Sequence, residues 1–112
     1  MKKTNTVKKK EEFNEIISIG KVLKNDFFVV YYKSNQLDKF RFGISVGKKL
    51  GNAVFRNKYK RKIRSIIDNN KKYYQNGMDY IIIMRKACIN SDFSIMNDKY
   101  VQLIEKIKIE EK

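Results

Sequence analysis

The stretch "FRFGISVGKKLGNAVFRNKYKRKIRSII", residues 40–67, changes from the hydrophobic period of a strand to that of a helix. Over residues 40–47, large apolar side chains alternate with small or polar ones, which predicts a strand with one core face. Over residues 52–69, apolar side chains recur at helical spacing, which predicts a helix with one buried face. The apolar positions of this helix are Phe55, Tyr59, Ile63, Ile66 and Ile67.

Three elements are expected before this unit. An apolar stripe predicts a helix over residues 9–19, which Gly20 ends. Aromatic and β-branched residues predict a strand over 27–33, with a short strand before it at 21–23. In the longer strand, alternation places Phe27, Val29 and Tyr31 on one face and Phe28, Val30 and Tyr32 on the other.

Two elements are expected after it. The nearly continuous apolar run "MDYIIIMRK", residues 78–86, predicts a strand buried on both faces. A last helix is expected over 93–109, with Ser91 or Asp92 as its N-cap. The order α-β-β-β-α-β-α predicts an α+β two-layer sandwich in a single domain, residues 1–112, of which 1–8 are expected to be flexible.

The charge of the chain restricts its partners. The 112 residues include 26 Lys and Arg against 12 Asp and Glu, a formal net charge of +14. Such a charge attracts polyanions, so nucleic acid is the first candidate partner and an anionic membrane surface the second. The sequence shows no membrane-spanning run, no signal-peptide pattern and no obligate protein partner. The single cysteine, Cys88, favours a cytoplasmic location.

The chain has few groups for catalysis. Because it has no histidine, a Ser-His-Asp or Cys-His arrangement is impossible, and one cysteine cannot supply a zinc site. The stretch "GISVGKKLG" lacks the spacing of a P-loop. A protein-only nuclease would need clustered carboxylates for metal ions, whereas the aspartates lie in separate predicted turns and element ends. We therefore predict no catalytic residue and no metal site in the protein itself.

The helix over 52–69 carries a cationic stripe beside its apolar one. Between Asp38 and Asp68 there are ten basic residues and no acid. On a helical projection, one arc is filled by Arg56, Asn57, Lys60, Arg61 and Arg64. Solvent-exposed helix faces usually carry both positive and negative side chains, and the arginine guanidinium can bind a phosphate through two hydrogen bonds. This stripe therefore predicts a phosphate-binding surface.

This stretch and its flanks resemble the bacterial ribonuclease P protein component. The residues that carry the resemblance are Ser45, Val46, Lys48, Lys49, Gly51, Ala53, Val54, Arg56, Asn57, Lys60, Arg61 and Arg64. The stretches "FNEIISIG", "FFVVYY" and "DYIIIMRK" agree with it, so that the resemblance covers residues 9–108.

The resemblance implies a subunit of a ribonucleoprotein endoribonuclease. The partner would be the ribonuclease P RNA, which with Mg²⁺ removes the 5′ leader of precursor tRNA, and the protein alone would be inactive. It implies RNA binding by Lys48, Lys49, Arg56, Asn57, Lys58, Lys60, Arg61 and Arg64. It implies a leader-binding cleft lined by Phe13, Ile17, Val29, Tyr31 and Ser45. It also implies a left-handed β-α-β crossover, against the usual right-handed rule.

Two residues depart from the family pattern. Lys58 stands where arginine is usual, and it lacks the planar guanidinium that can make two parallel hydrogen bonds. Ile17 stands where an aromatic residue is common, and it cannot stack on a base. An alternative function is a ribosomal protein or RNA chaperone with no role in cleavage, which would share the charge and the aromatic strand.

Overall fold

The structure, a computed structural model, describes residues 6–110, and side chains over residues 6–107. Its helices are α1 (Lys10–Ile19), α2 (Ala53–Asn69) and α3 (Phe93–Glu110). Its strands are β1 (Lys21–Lys24), β2 (Phe28–Ser34), β3 (Arg41–Ser45) and β4 (Met78–Met84). The chain order α1-β1-β2-β3-α2-β4-α3 confirms the predicted order and the α+β class.

The four strands form one mixed sheet in the order β1-β2-β4-β3. β2 pairs antiparallel with β1 and β4, and β3 pairs parallel with β4, so α2 lies in the crossover between two adjacent parallel strands. The handedness of this crossover stays a prediction. Because β4 is central and covered on both faces, all its residues but Ile83 are buried, as the apolar run predicts.

The main core lies between one face of the sheet and the layer of α2 and α3. The helices contribute Tyr59, Ile63, Ile66, Ile67, Met96, Tyr100, Leu103, Ile104 and Ile107. The sheet contributes Phe28, Val30, Tyr32, Phe42, Tyr80, Ile82 and Met84. These sets match the predicted apolar faces of α2 and β2, because burying apolar surface selects the face that each period aligns.

The opposite face of the sheet carries α1. Val7, Ile16 and Ile81 form a second, smaller core there, and partly exposed apolar side chains surround it. In addition to the two predicted layers, α1 therefore forms a third layer that covers only part of the sheet. This uneven cover creates the cleft described below.

The ends of α2 and α3 follow local hydrogen bonding. The Asn52 side chain accepts a hydrogen bond from the Phe55 N–H at 2.9 Å, which caps α2. For α3, the Met96 N–H donates to the Asp92 carbonyl, which places Asp92 at the N-cap. The other candidate, Ser91, donates its hydroxyl to the Ala87 carbonyl instead.

Phe27 differs from its predicted position. It was expected on the face of Val29, yet it is buried in the main core with Phe28. The reason is a turn, in which the Asn25 side chain accepts hydrogen bonds from the N–H groups of Phe27 and Phe28. β2 therefore begins at Phe28, and Phe27 does not follow the alternation of the strand.

Within the segment 1–8, which is expected to be flexible, Val7 is anchored against β3. The Val7 N–H donates to the Phe42 carbonyl at 2.8 Å, Thr6 bridges Phe42, and the Val7 side chain is buried. The outer edge of β3 offers unpaired backbone groups, and an apolar side chain next to it gains by burial. Residues 1–5 lie outside the described part of the chain.

Candidate nucleic-acid interface

One surface of α2 is basic, as predicted. The side chains of Asn57, Lys58, Arg61 and Arg64 are exposed, and those of Arg56 and Lys60 are half-buried. Lys48 and Lys49 are exposed in the 3₁₀ turn that precedes α2. We call these eight residues the basic surface. In the described part of the chain, the ion pairs join Arg41 to Glu12 and Asp79, and Lys99 to Asp26, and none includes a residue of this surface.

Arg56 is the most buried arginine of this surface. Its Nε atom is buried, and no described atom accepts a hydrogen bond from it. Buried donors usually have a hydrogen-bond partner, whereas the Nε–H of Arg56 has none among the described residues. The neighbouring Lys62, which is not among the predicted site residues, instead places its ammonium 4.8 Å from the centre of the Tyr59 ring.

The predicted leader-binding residues lie together on the α1 face of the sheet. In the strand register, Val29 pairs with Ile83, which pairs with Ser45. Residues directly opposite each other project from the same face, so these three side chains form one row across the sheet. All three are partly exposed, and Ile83 also packs against the smaller core on this face. We call this row the open row.

The adjacent row is partly covered by α1. It contains Tyr31, Ile81 and Gly43, and Phe13 of α1 lies against Gly43. A Cβ at Gly43 would lie 2.7 Å from both Phe13 Cε2 and Ile81 Cδ1, so the absence of a side chain makes room for the Phe13 ring. Ile17 packs against the same cluster. The predicted leader-binding residues, Phe13, Ile17, Val29, Tyr31 and Ser45, are therefore close together and all partly exposed.

An ionic network fixes α1 over the sheet. The Arg41 guanidinium donates to both carboxylate oxygens of Asp79, at 2.9 and 2.7 Å, and to Glu12 of α1 at 2.9 Å. The hydrogen bond to Asp79 is the main reason that the pKa of Arg41 is raised, and the group stays charged. Sequence reasoning missed this network. Alternation placed Arg41 on this face, but its partner depends on the register between β3 and β4.

The basic surface and the cleft meet at the β3 edge of the sheet. A cavity of about 120 Å³ is lined by Phe13 and Gly43, by Lys60 and Arg64 of α2, and by residues 6 and 7. Two sets of residues predicted separately therefore border a common space. Their individual roles stay predictions.

Two other kinds of site have no counterpart among the described residues. No group of three His, Cys, Asp or Glu side chains in this part of the chain is arranged to hold a metal ion. No helix among these residues is both long and apolar enough to cross a membrane.

The chain is an α+β protein with a basic crossover helix beside a half-covered apolar sheet face. The sequence model of the family described as Ribonuclease P matches residues 1–108. The chain therefore belongs to the ribonuclease P protein family. A protein component of ribonuclease P is part of an endoribonuclease complex.

Individual relatives agree in sequence and in structure. The ribonuclease P protein component of Mycoplasma capricolum is 43% identical over 109 residues, which cover 96% of this chain and 100% of the relative. The solved ribonuclease P protein of Thermotoga maritima has a TM-score of 0.82 at 34% identity, covering 90% of this chain and 96% of that one. That of Staphylococcus aureus has a TM-score of 0.84 at 36% identity, covering 94% and 96%.

Proposed function

We propose that this protein binds the ribonuclease P RNA through its basic surface and holds the 5′ leader of precursor tRNA in its cleft. The observation that carries this proposal is the shared cavity, which is lined by Phe13 of the cleft and by Lys60 and Arg64 of α2. One RNA bound to α2 and a second strand lying in the cleft would be brought side by side at this edge. The protein then acts in the maturation of tRNA 5′ ends, in the cytoplasm.

The chemistry of the basic surface and of the cleft supports the assignment of one RNA to each. The basic surface offers cationic groups and one amide along a helix, which suits the phosphates of a structured RNA. The cleft offers the rings of Phe13 and Tyr31 beside a floor of small and aliphatic side chains, which suits the stacked bases of a single strand. Because Ile17 offers only apolar contact, base stacking falls mainly to Phe13 and Tyr31.

We assign the hydrolysis to the partner RNA and its bound Mg²⁺, as the family resemblance implies. Magnesium is usually bound through water and through phosphate oxygens, which the RNA supplies, so we assign its ligands mainly to the RNA. The contribution of the protein is electrostatic. Its positive surface offsets the repulsion between two RNAs and lowers the Mg²⁺ concentration that the complex needs.

The variant Tyr31→Ala tests the cleft. It removes a partly exposed ring from the cleft, so the holoenzyme should bind leader-bearing precursor tRNA about tenfold more weakly, by the usual value of one stacked base. Mature tRNA should bind unchanged. Dissociation constants measured for both RNAs give the comparison. Tyr73→Ala, on the turn after α2, is a matched control that should behave like the unmodified protein. Equal losses on the two RNAs would contradict a leader cleft.

A further inference from the structure

The face that carries the open row continues past Val29 onto β1. In the register of β1 and β2, Lys24 pairs with Val29, and Val22 pairs with Tyr31. Because directly opposite residues project from the same face, Lys24 and Val22 extend the two rows of the cleft by one strand. The other lysine of β1, Lys21, pairs with Tyr32 and so projects from the opposite face.

Both added side chains are open to solvent. Val22 is 47% exposed, one of the few large apolar side chains among the described residues left in that state, and it lies next to the half-exposed Tyr31. Lys24 is exposed, and no carboxylate of the described residues pairs with it. The nearest acid along the chain, Asp26, is paired with Lys99 at 3.1 Å.

The position of α1 sets the direction in which a strand of RNA could lie. α1 contacts the sheet at Gly43 and Ile81 and is tied to Arg41 through Glu12, so it blocks the path along the strands. The partly exposed strip therefore runs across the strands, from Ser45 through Ile83 and Val29 to Lys24. It crosses three strand spacings, or about 14 Å.

We propose that Val22 and Lys24 form a distal leader subsite, in which the Lys24 ammonium contacts a leader phosphate and Val22 contacts the adjacent sugar or base. This inference rests on the proposed leader cleft and extends it to nucleotides farther from the cleavage site. The chemistry is that of other single-strand grooves, in which a cation follows the backbone and an apolar side chain supports the nucleotide.

A lysine on an edge strand also has a purely structural explanation. β1 is an edge of the sheet, and charged side chains there prevent pairing with the edge of another molecule. That role requires no RNA and does not depend on the length of a leader. Leader length therefore separates the two explanations.

The test uses the holoenzyme, reconstituted from this protein and a bacterial ribonuclease P RNA. Precursor tRNAs with leaders shortened one nucleotide at a time are titrated against the unmodified protein and against Lys24→Ala, Lys24→Arg and Lys21→Ala. With long leaders, Lys24→Ala should bind about threefold more weakly, as expected for one exposed charge contact. The slope of log Kd against log salt should fall by about 0.7, the value for one phosphate of a single strand.

The difference between Lys24→Ala and the unmodified protein should vanish once the leader is too short to reach β1. Lys24→Arg keeps the charge and should bind like the unmodified protein, as should Lys21→Ala on the opposite face. The proposal of a distal subsite is wrong if Lys24→Ala binds like the unmodified protein at every leader length. It is also wrong if Lys24→Ala loses as much affinity for mature tRNA as for precursor tRNA. If the unmodified protein itself is insensitive to leader length, the proposed leader cleft is wrong as well.

Discussion

At the scale of single residues, Asp79 determines how firmly α1 is held over the sheet. It is buried, and it accepts two hydrogen bonds from Arg41 and one from Asn35 at 2.7 Å. Removing one partner of a buried pair is costly, because the other charge stays behind without compensation. Asp79 therefore stabilises the fold and the shape of the cleft together.

We expect Asp79→Asn to lower the free energy of unfolding by about 3 kcal/mol, measured by urea denaturation. Glu12→Gln is the matched control, since it removes a carboxylate from the same guanidinium at a side chain that is 37% exposed. An exposed pair contributes less, so this variant should lose about 1 kcal/mol or less. Equal losses would show that Asp79 is not the main anchor of Arg41.

Single residues also show which contacts the sequence alone does not predict. The alternation of β3 correctly placed Arg41 and Gly43 on one face, and the smallness of Gly43 indicated an uncrowded strip. The strand pattern does not predict that Phe13 occupies that strip, because Phe13 is 30 positions away and belongs to a helix whose docking depends on packing. The ionic partners of Arg41 were missed for the same reason. Only the family resemblance places Phe13 in the cleft.

At the scale of elements, α2 is the part best predicted from the sequence. Its apolar stripe is long and regular, and four of its five members are buried in the main core, with Phe55 half-buried. The helix thus fixes the orientation of its cationic side by burying the other. The apolar stripe of α1 does not by itself indicate which face of the sheet it covers, since it is short. Only the family resemblance, which implies a cleft shared by Phe13, Ile17, Val29 and Tyr31, predicts α1 on the face of Val29 and Tyr31.

The basic surface of α2 leads to a prediction about salt. Arg61 is exposed and unpaired among the described residues, so Arg61→Ala should weaken binding to the ribonuclease P RNA and reduce the slope of log Kd against log salt by about one. Arg56→Ala should do the same. Binding of the isolated RNA at several salt concentrations gives the slopes.

Arg61→Lys and Lys106→Ala are the controls for that series. The first keeps the charge and should keep the salt slope, with a smaller loss of affinity from the missing fork. The second removes an exposed charge from α3, which is not part of the basic surface, and should change neither affinity nor slope. Unchanged slopes in both Arg56→Ala and Arg61→Ala would remove these residues from the interface.

At the scale of the whole molecule, the sequence predicts the elements but not the order of the strands. The arrangement β1-β2-β4-β3 places the last strand of the chain in the middle of the sheet. The continuous apolar run of β4 indicated a central strand, yet its two neighbours follow from pairing between distant segments. The cleft is a product of that register, because the open row takes one residue from each of three strands.

In the proposed function, the protein supplies positive charge and the partner RNA carries out the reaction. The protein's formal net charge of +14, and a basic surface free of ion pairs among the described residues, attract polyanions. In the proposed function the protein lowers the Mg²⁺ requirement and the RNA cleaves.

The most direct test is the cleavage of precursor tRNA by a bacterial ribonuclease P RNA at low Mg²⁺, with and without this protein. The proposed function predicts strong stimulation by the protein and no cleavage by the protein alone. Stimulation should decline as Mg²⁺ is raised, because the cation then screens the same phosphate repulsion. No stimulation, despite tight and salt-sensitive RNA binding, would contradict a role in cleavage and favour a ribosomal protein or an RNA chaperone.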